Sequence, residues 1–104
     1  MAIKLTILYG MPTDEAAFEA YYLATHVPLV NKMTGLQAFE YGKVVARLDG
    51  PDNDVFWTAS LRFADGDVMG AALGSPEGVA TSADVANFAT GGATIYLCEV
   101  NDPA

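Results

Sequence analysis

A chain of 104 residues, 52% of them hydrophobic and 17% charged, is the size of one domain, and its formal net charge of −8 has the wrong sign for nucleic acid or an anionic membrane surface. Its cations, Lys4, Lys32, Lys43, Arg47 and Arg62, are nowhere adjacent, and no apolar run nears the roughly 20 residues that a membrane helix requires. One cysteine, Cys98, forbids an internal disulfide and fits a reducing cytoplasm, while one histidine far from it makes no metal set.

Residues 2–9 alternate as a strand should, with Ile3, Leu5, Ile7 and Tyr9 on one face and Lys4, Thr6 and Leu8 on the other. This apolar start has no basic leader and no cleavage site, so it is read as a strand. Gly10 and Pro12 break it. Thr13 is placed to cap a helix, with Asp14 and Glu15 in a first turn where the helix dipole favours negative charge. At about 100° per residue, Phe18, Tyr22, Thr25, His26, Leu29 and Met33 then share one side. Pro28 lacks the amide that Ala24 would bond, so the helix should bend or restart near His26. Gly35 is a natural stop.

Residues 36–47 and 54–64 are rich in β-branched and aromatic residues and predict two strands joined by the turn-forming loop LDGPDND. Asp65 or Gly66 opens a short helix through Leu73. Ser75 followed by Pro76 opens another, running to Asp84 or Ala86. Gly91 and Gly92 mark a turn into a last strand at 93–100, and the tail from 101 to 104 should fray.

The order β-α-β-β-α-β predicts one α+β, ferredoxin-like domain over 1–104, with a four-stranded antiparallel sheet and both helices on one face. Phe39 and Val44, Phe56 and Trp57, and Tyr96 and Leu97 put apolar groups on both alternating sets of their strands. Such strands need cover on both faces, and a second copy of the chain would supply it. The predicted partner is therefore another subunit, in a homodimer.

The segment YGMPTDEAAFEAYYLATHVPLVNK, residues 9–32, resembles the signature of the EthD family, named for a role in ethyl tert-butyl ether degradation. The matching positions are Tyr9-Gly10, Pro12, Asp14, Phe18, Tyr21-Tyr22, Thr25-His26, Pro28-Leu29 and Lys32, and residues 74–92 resemble the family's second helix. The resemblance implies the dimeric α/β barrel superfamily, whose members include quinone-forming monooxygenases and muconolactone isomerases. It also implies a small-molecule cavity between the helices and the sheet, lined by His26 with Tyr9, Phe18, Leu29, Phe88 and Tyr96.

An imidazole, with an ordinary pKa of about 6.5, can take a proton from a phenol, an enol or a carbon beside a carbonyl. Tyr22, Tyr9 or Tyr96 could donate to the developing oxyanion, and Asp84 is the expected carboxylate partner of His26. A bland role competes with this one, because a lone helical histidine often satisfies a local carbonyl such as that of Ala24. Trp57 is expected in the core or an interface, and Cys98 as a small buried hydrophobe. With no Gly-x-Gly-x-x-Gly and no phosphate loop, no cofactor is expected. The expected function is a cofactor-independent oxidoreductase, monooxygenase-like, acting on a small hydrophobic or aromatic compound in or near a degradation pathway. An isomerase or lyase of muconolactone type and a non-enzymatic binding accessory are the alternatives.

Overall fold

The computed structural model describes residues 1–101, so the tail expected to fray lies, after Asn101, outside the described residues. Four antiparallel strands form one sheet in the order β2-β3-β1-β4. They are β1 (Ile3–Gly10), β2 (Ala38–Lys43), β3 (Val55–Phe63) and β4 (Ala93–Glu99). Between β1 and β2 lie α1 (Glu15–Tyr21), a single π turn (Tyr22–His26) and α2 (Val27–Asn31); between β3 and β4 lie α3 (Gly66–Gly74), α4 (Pro76–Asp84) and a short 3-10 turn (Val85–Asn87). This is the ferredoxin-like arrangement expected from the sequence.

The first helical arm departs from a plain α-helix for a reason written in the chain. Pro28 has no amide to offer Ala24, and the backbone widens instead: the N–H of Val27 bonds to the carbonyl of Tyr22, five residues back. The helix restarts as α2 with Pro28 in its first turn. In an α-helix, four-residue steps drift by about 40° each. The wider turn takes up that drift, and Phe18, Tyr22, His26, Val30 and Met33 are all buried. The expected stripe is corrected accordingly: Thr25 is exposed, Leu29 is half-buried, and Val30 takes the inward place. The cap is also one residue later than expected, since the Asp14 carboxylate, not Thr13, accepts from the N–H of Ala17.

The later helices begin as their sequences direct. Asp65 accepts from the N–H of Val68, and Ser75 from that of Gly78. Gly35 leaves the first arm with a φ of 85°, a conformation that glycine adopts without strain. Gly78 lets α4 lie close on α3, because a Cβ there would sit 2.1 Å from the carbonyl oxygen of Ala72 and 2.7 Å from Cα of Leu73. Backbone cannot yield as a side chain can. Gly78→Ala is therefore expected to lower the unfolding free energy by about 1–3 kcal/mol in denaturant titration, and unchanged stability would contradict this packing.

A bulge revises the two-faced reading of β3. Tyr9 pairs with Trp57, but Gly10 pairs with Val55, so one extra residue sits in β3. Phe56 and Trp57 consequently both turn toward the helices and both are buried. The opposite face carries Lys4, Thr6, Thr58, Ser60 and Arg62, which is more polar than the sequence pattern suggested. Cys98, opposite Lys4, is on that face and is only half-buried, not a core residue. Edge strand β4 leaves Ile95, Tyr96 and Leu97 more than half exposed.

Under the helices the core has two parts. One is aromatic, built on Tyr9, Phe18, Tyr22, Phe56, Trp57 and Phe88; the other is mostly aliphatic, built on Val30, Met33, Leu61, Phe63 and Ala72. No helix among the described residues is long and apolar enough to cross a membrane.

Candidate active site

The two halves of the core do not close completely on one another. Between them lies a cavity of about 280 Å³ whose wall includes Tyr9, Tyr22 and His26 on one side and Val30, Met33 and Leu61 on the other. Its floor is the inner face of β1, through Leu5 and Ile7, and Ser82 and Ile95 mark its mouth between α4 and β4. The size lies near the lower end for small-molecule pockets, which run from about 300 Å³ upward.

His26 is 3% exposed, and its ring is set by contacts on two sides. Phe88 packs 4.7 Å away and Tyr22 5.1 Å away, measured between ring centroids. Nδ1 lies 2.9 Å from Oδ2 of Asp84, which is 7% exposed. An ionised carboxylate only accepts, so Nδ1 carries the proton and donates it to Asp84. Nε2 makes no hydrogen bond among the described residues. The carbonyl of Ala24 does not hold this ring.

Asp84 closes α4, and its other oxygen is equally engaged. The hydroxyl of Tyr21 donates to Oδ1 at 2.5 Å, and the amide Nδ2 of Asn87 at 3.0 Å. Burial pushes the Asp84 carboxyl up, but the hydrogen bonds from Tyr21, Asn87 and His26 outweigh it and hold the group below its ordinary value. Burial pulls His26 below 6.5 against the opposing pull of Asp84. The pair is a carboxylate beside a neutral imidazole, with the basic nitrogen left for the cavity.

Both shifts act on stability in the same direction. Each folded-state pKa lies below its ordinary value, 6.5 for His26 and 3.8 for Asp84, so the unfolded chain takes up protons first as pH falls. Stability from His26 is complete above pH 6.5 and is lost as pH falls through that value toward the lower folded one. The same holds for Asp84 below pH 3.8. The melting temperature is expected to fall between pH 7.5 and pH 5.5, and His26→Gln to flatten that slope; a Tm that rises on acidification would reverse the assigned protonation.

Of the expected site residues, His26, Tyr22 and Tyr9 meet at the cavity wall. Asp84 stands behind His26, 2.9 Å from its Nδ1. Phe18 and Phe88 are core residues behind the wall: Phe18 stacks on Tyr22 at 5.8 Å, and Phe88 braces His26. Leu29 does not reach the cavity, because the π turn rotates it toward Lys32, Pro76 and Ala80. Tyr96 is on the opposite face of the sheet, since it pairs with outward-facing Thr6. Tyr21 and Asn87 were missed. Tyr21 is 100° from Tyr22 on an α-helix and so cannot face the cavity with it, but that direction is where Asp84 lies.

Fold and site together define an α+β ferredoxin-like protein with a buried histidine–aspartate pair on the wall of an apolar cavity. Residues 11–92 match the EthD domain, and the chain belongs to the EthD family. It is 42% identical over 96 residues to an uncharacterized 11.0 kDa protein of the thcB-thcC intergenic region of Rhodococcus erythropolis, covering 92% of each chain. An ethyl tert-butyl ether d (EthD) family protein from Bacillus halodurans C-125 superposes with a TM-score of 0.89 at 29% identity, covering 97% of this chain and 100% of that one. More distant structures share the fold alone. SnoaB, a cofactor-independent oxygenase from Streptomyces nogalater, has a TM-score of 0.68 at 16% identity, covering 98% and 95% of the two chains. A dimeric ferredoxin-like protein of unknown function from Thermobifida fusca has a TM-score of 0.74 at 15% identity, covering 96% and 92%.

Proposed function

We propose that this EthD protein is a cofactor-independent oxidoreductase for a small hydrophobic or aromatic compound, with His26 as the general base, Asp84 as the residue that orients it, and Tyr22 as an oxyanion donor. The observation that carries the reading is the hydrogen bond of 2.9 Å from a buried imidazole to a buried carboxylate on the wall of a mostly apolar cavity. A neutral imidazole so held can accept a phenolic proton on Nε2, and the imidazolium formed is stabilised by Asp84. The phenolate left in an apolar chamber is a far better electron donor to dioxygen than the phenol. Overall, a phenol with an unsubstituted para carbon and one O2 become a para-quinone and one water. That a cofactor-independent oxygenase shares the fold supports this chemistry by analogy of scaffold.

The working form is proposed to be a homodimer acting in the cytoplasm, within or beside a degradation pathway such as that for ethyl tert-butyl ether. Edge strand β4 exposes Ile95 and Leu97 on its inner face and Tyr96 on its outer face, and a second subunit would cover this edge.

The test is oxygen uptake by the purified protein with a panel of naphthols and alkylphenols, with products identified by mass spectrometry. Quinone formation matched by oxygen consumption is expected. Substrate loss with no oxygen consumed would instead assign the isomerase or lyase chemistry. Saturable binding with no turnover of any panel member would assign a carrier.

A further inference from the structure

The cavity has a long axis, and the register of the sheet defines it. Tyr9, Ile7 and Leu5 line it in turn along the inner face of β1, and at roughly 3.3 Å per residue their backbone spans about 13 Å. Tyr9 pairs with Trp57 in the aromatic half of the core, and Leu5 pairs with Leu61 in the aliphatic half. The helical arm above runs between the same two ends. Its wall residues begin with Tyr22 and His26, which pack on Phe88 of the aromatic half, and finish with Val30 and Met33 in the aliphatic half. The proton-transfer group therefore sits at one end only. The far end is walled by Leu5, Leu61, Met33 and Leu73 and presents no polar side chain. No lysine, arginine, aspartate or glutamate lines the cavity, so a charged group on the ligand would have no countercharge there. Thr81, on the α4 side, already donates its hydroxyl to the carbonyl of Glu77 at 2.8 Å.

We propose that the aliphatic end is a subsite for an uncharged alkyl chain, and that Met33 and Leu73, as its end wall, set the longest chain the cavity accepts. The claim rests on the reading of His26 as a base, and it narrows the substrate class to phenols that carry a short alkyl chain. The ring lies at the aromatic end, with its hydroxyl toward Nε2 of His26. A chain on the ortho carbon would crowd that nitrogen, and the para carbon stays free for oxidation, so the chain is meta to the hydroxyl. A void of about 150 Å³ is enough for a benzene ring, which leaves room here for a chain of about four carbons. Met33 suits an end wall, since an unbranched thioether fits itself to irregular contents. It is buried from the arm side, and Leu73 meets the same space from α3. Each chain carbon that leaves water for this subsite should tighten binding about 4-fold, until the end wall is reached.

Calorimetric titration of the full chain with 3-alkylphenols, from methyl to hexyl and in the absence of oxygen, tests the assignment without turnover. One molecule should bind per chain. Affinity should climb about 4-fold per carbon as far as propyl or butyl and then level or fall. The quantity read is the position of that break, not the absolute affinity. Met33→Ala should move the break about two or three carbons longer, the size of what the side chain loses. Leu73→Phe should move it about one carbon shorter. Either variant decides the matter alone if the other does not fold. Affinity that stays flat beyond methyl, affinity that climbs to hexyl with no break, or a break that stays in place in a folded variant would each overturn the proposal. If the break behaves as expected while His26→Gln keeps full oxidase activity, the chain subsite stands and the base assignment fails. A flat series with oxygen uptake that depends on His26 would do the reverse.

Discussion

Replacing His26 with glutamine is expected to lower kcat for quinone formation by about 10²–10⁴-fold, the usual worth of a positioned general base. Glutamine is close in length and can still donate to Asp84, so the carboxylate keeps a partner. Far-UV circular dichroism should be unchanged. The effect should fall on kcat more than on KM, because the apolar walls that hold the substrate, among them Val30, Met33 and Leu61, are untouched. Full activity in this variant would remove His26 from the chemistry and leave it a packed core histidine.

The second large effect is expected at Asp84. Asp84→Ala strands the buried His26 N–H and takes the acceptor from the half-buried Tyr21 hydroxyl and the exposed Asn87 amide. A net loss of about 3 kcal/mol is expected, less than the sum of the bonds because burying the carboxylate is itself unfavourable. For a domain of this size that lowers the melting temperature by about 10–20 °C. Asp84→Asn separates stability from mechanism. Its amide can donate to Nδ1, which would then bear the lone pair and move the ring proton to Nε2. The cavity would meet a donor in place of a base. Thermal stability should recover much of the alanine variant's loss while turnover stays near the His26→Gln level. An Asp84→Asn protein with normal turnover would show that the tautomer of His26 is immaterial.

The layout of the fold was legible because each level of the sequence agreed. Glycines and prolines punctuate the elements, Ser75-Pro76 and Asp65 open helices, and the order of strands and helices along the chain points to the ferredoxin-like arrangement. What failed were places where one local irregularity shifts a whole face. Counting at 100° per residue put Thr25 and Leu29 on the inner stripe, yet Pro28 had already signalled that the count would break; the π turn then delivered Val30. The bulge opposite Tyr9 likewise put Phe56 and Trp57 on one side, where strict alternation had put them on two. Tyr96 was misplaced for a simpler reason, since the face of β4 depends on its register with β1 and no local pattern reports it.

The site was legible in part. His26 stood out as the one imidazole on a buried stripe, and Asp84 as an acid in an alanine-rich stretch. The second oxygen of Asp84 was not foreseeable, because it depends on Tyr21 from 63 residues away and on Asn87 in a 3-10 turn.

A single histidine makes one measurement decisive: nitrogen-15 NMR of the imidazole through a pH titration. The account predicts that, at pH 7, Nδ1 carries the proton and Nε2 the lone pair, with a titration midpoint below 6.5 that drops further in Asp84→Asn, where the carboxylate no longer favours the charged ring. An Nε2-protonated ring at pH 7, or a midpoint above 6.5, would contradict a base held ready at the cavity wall.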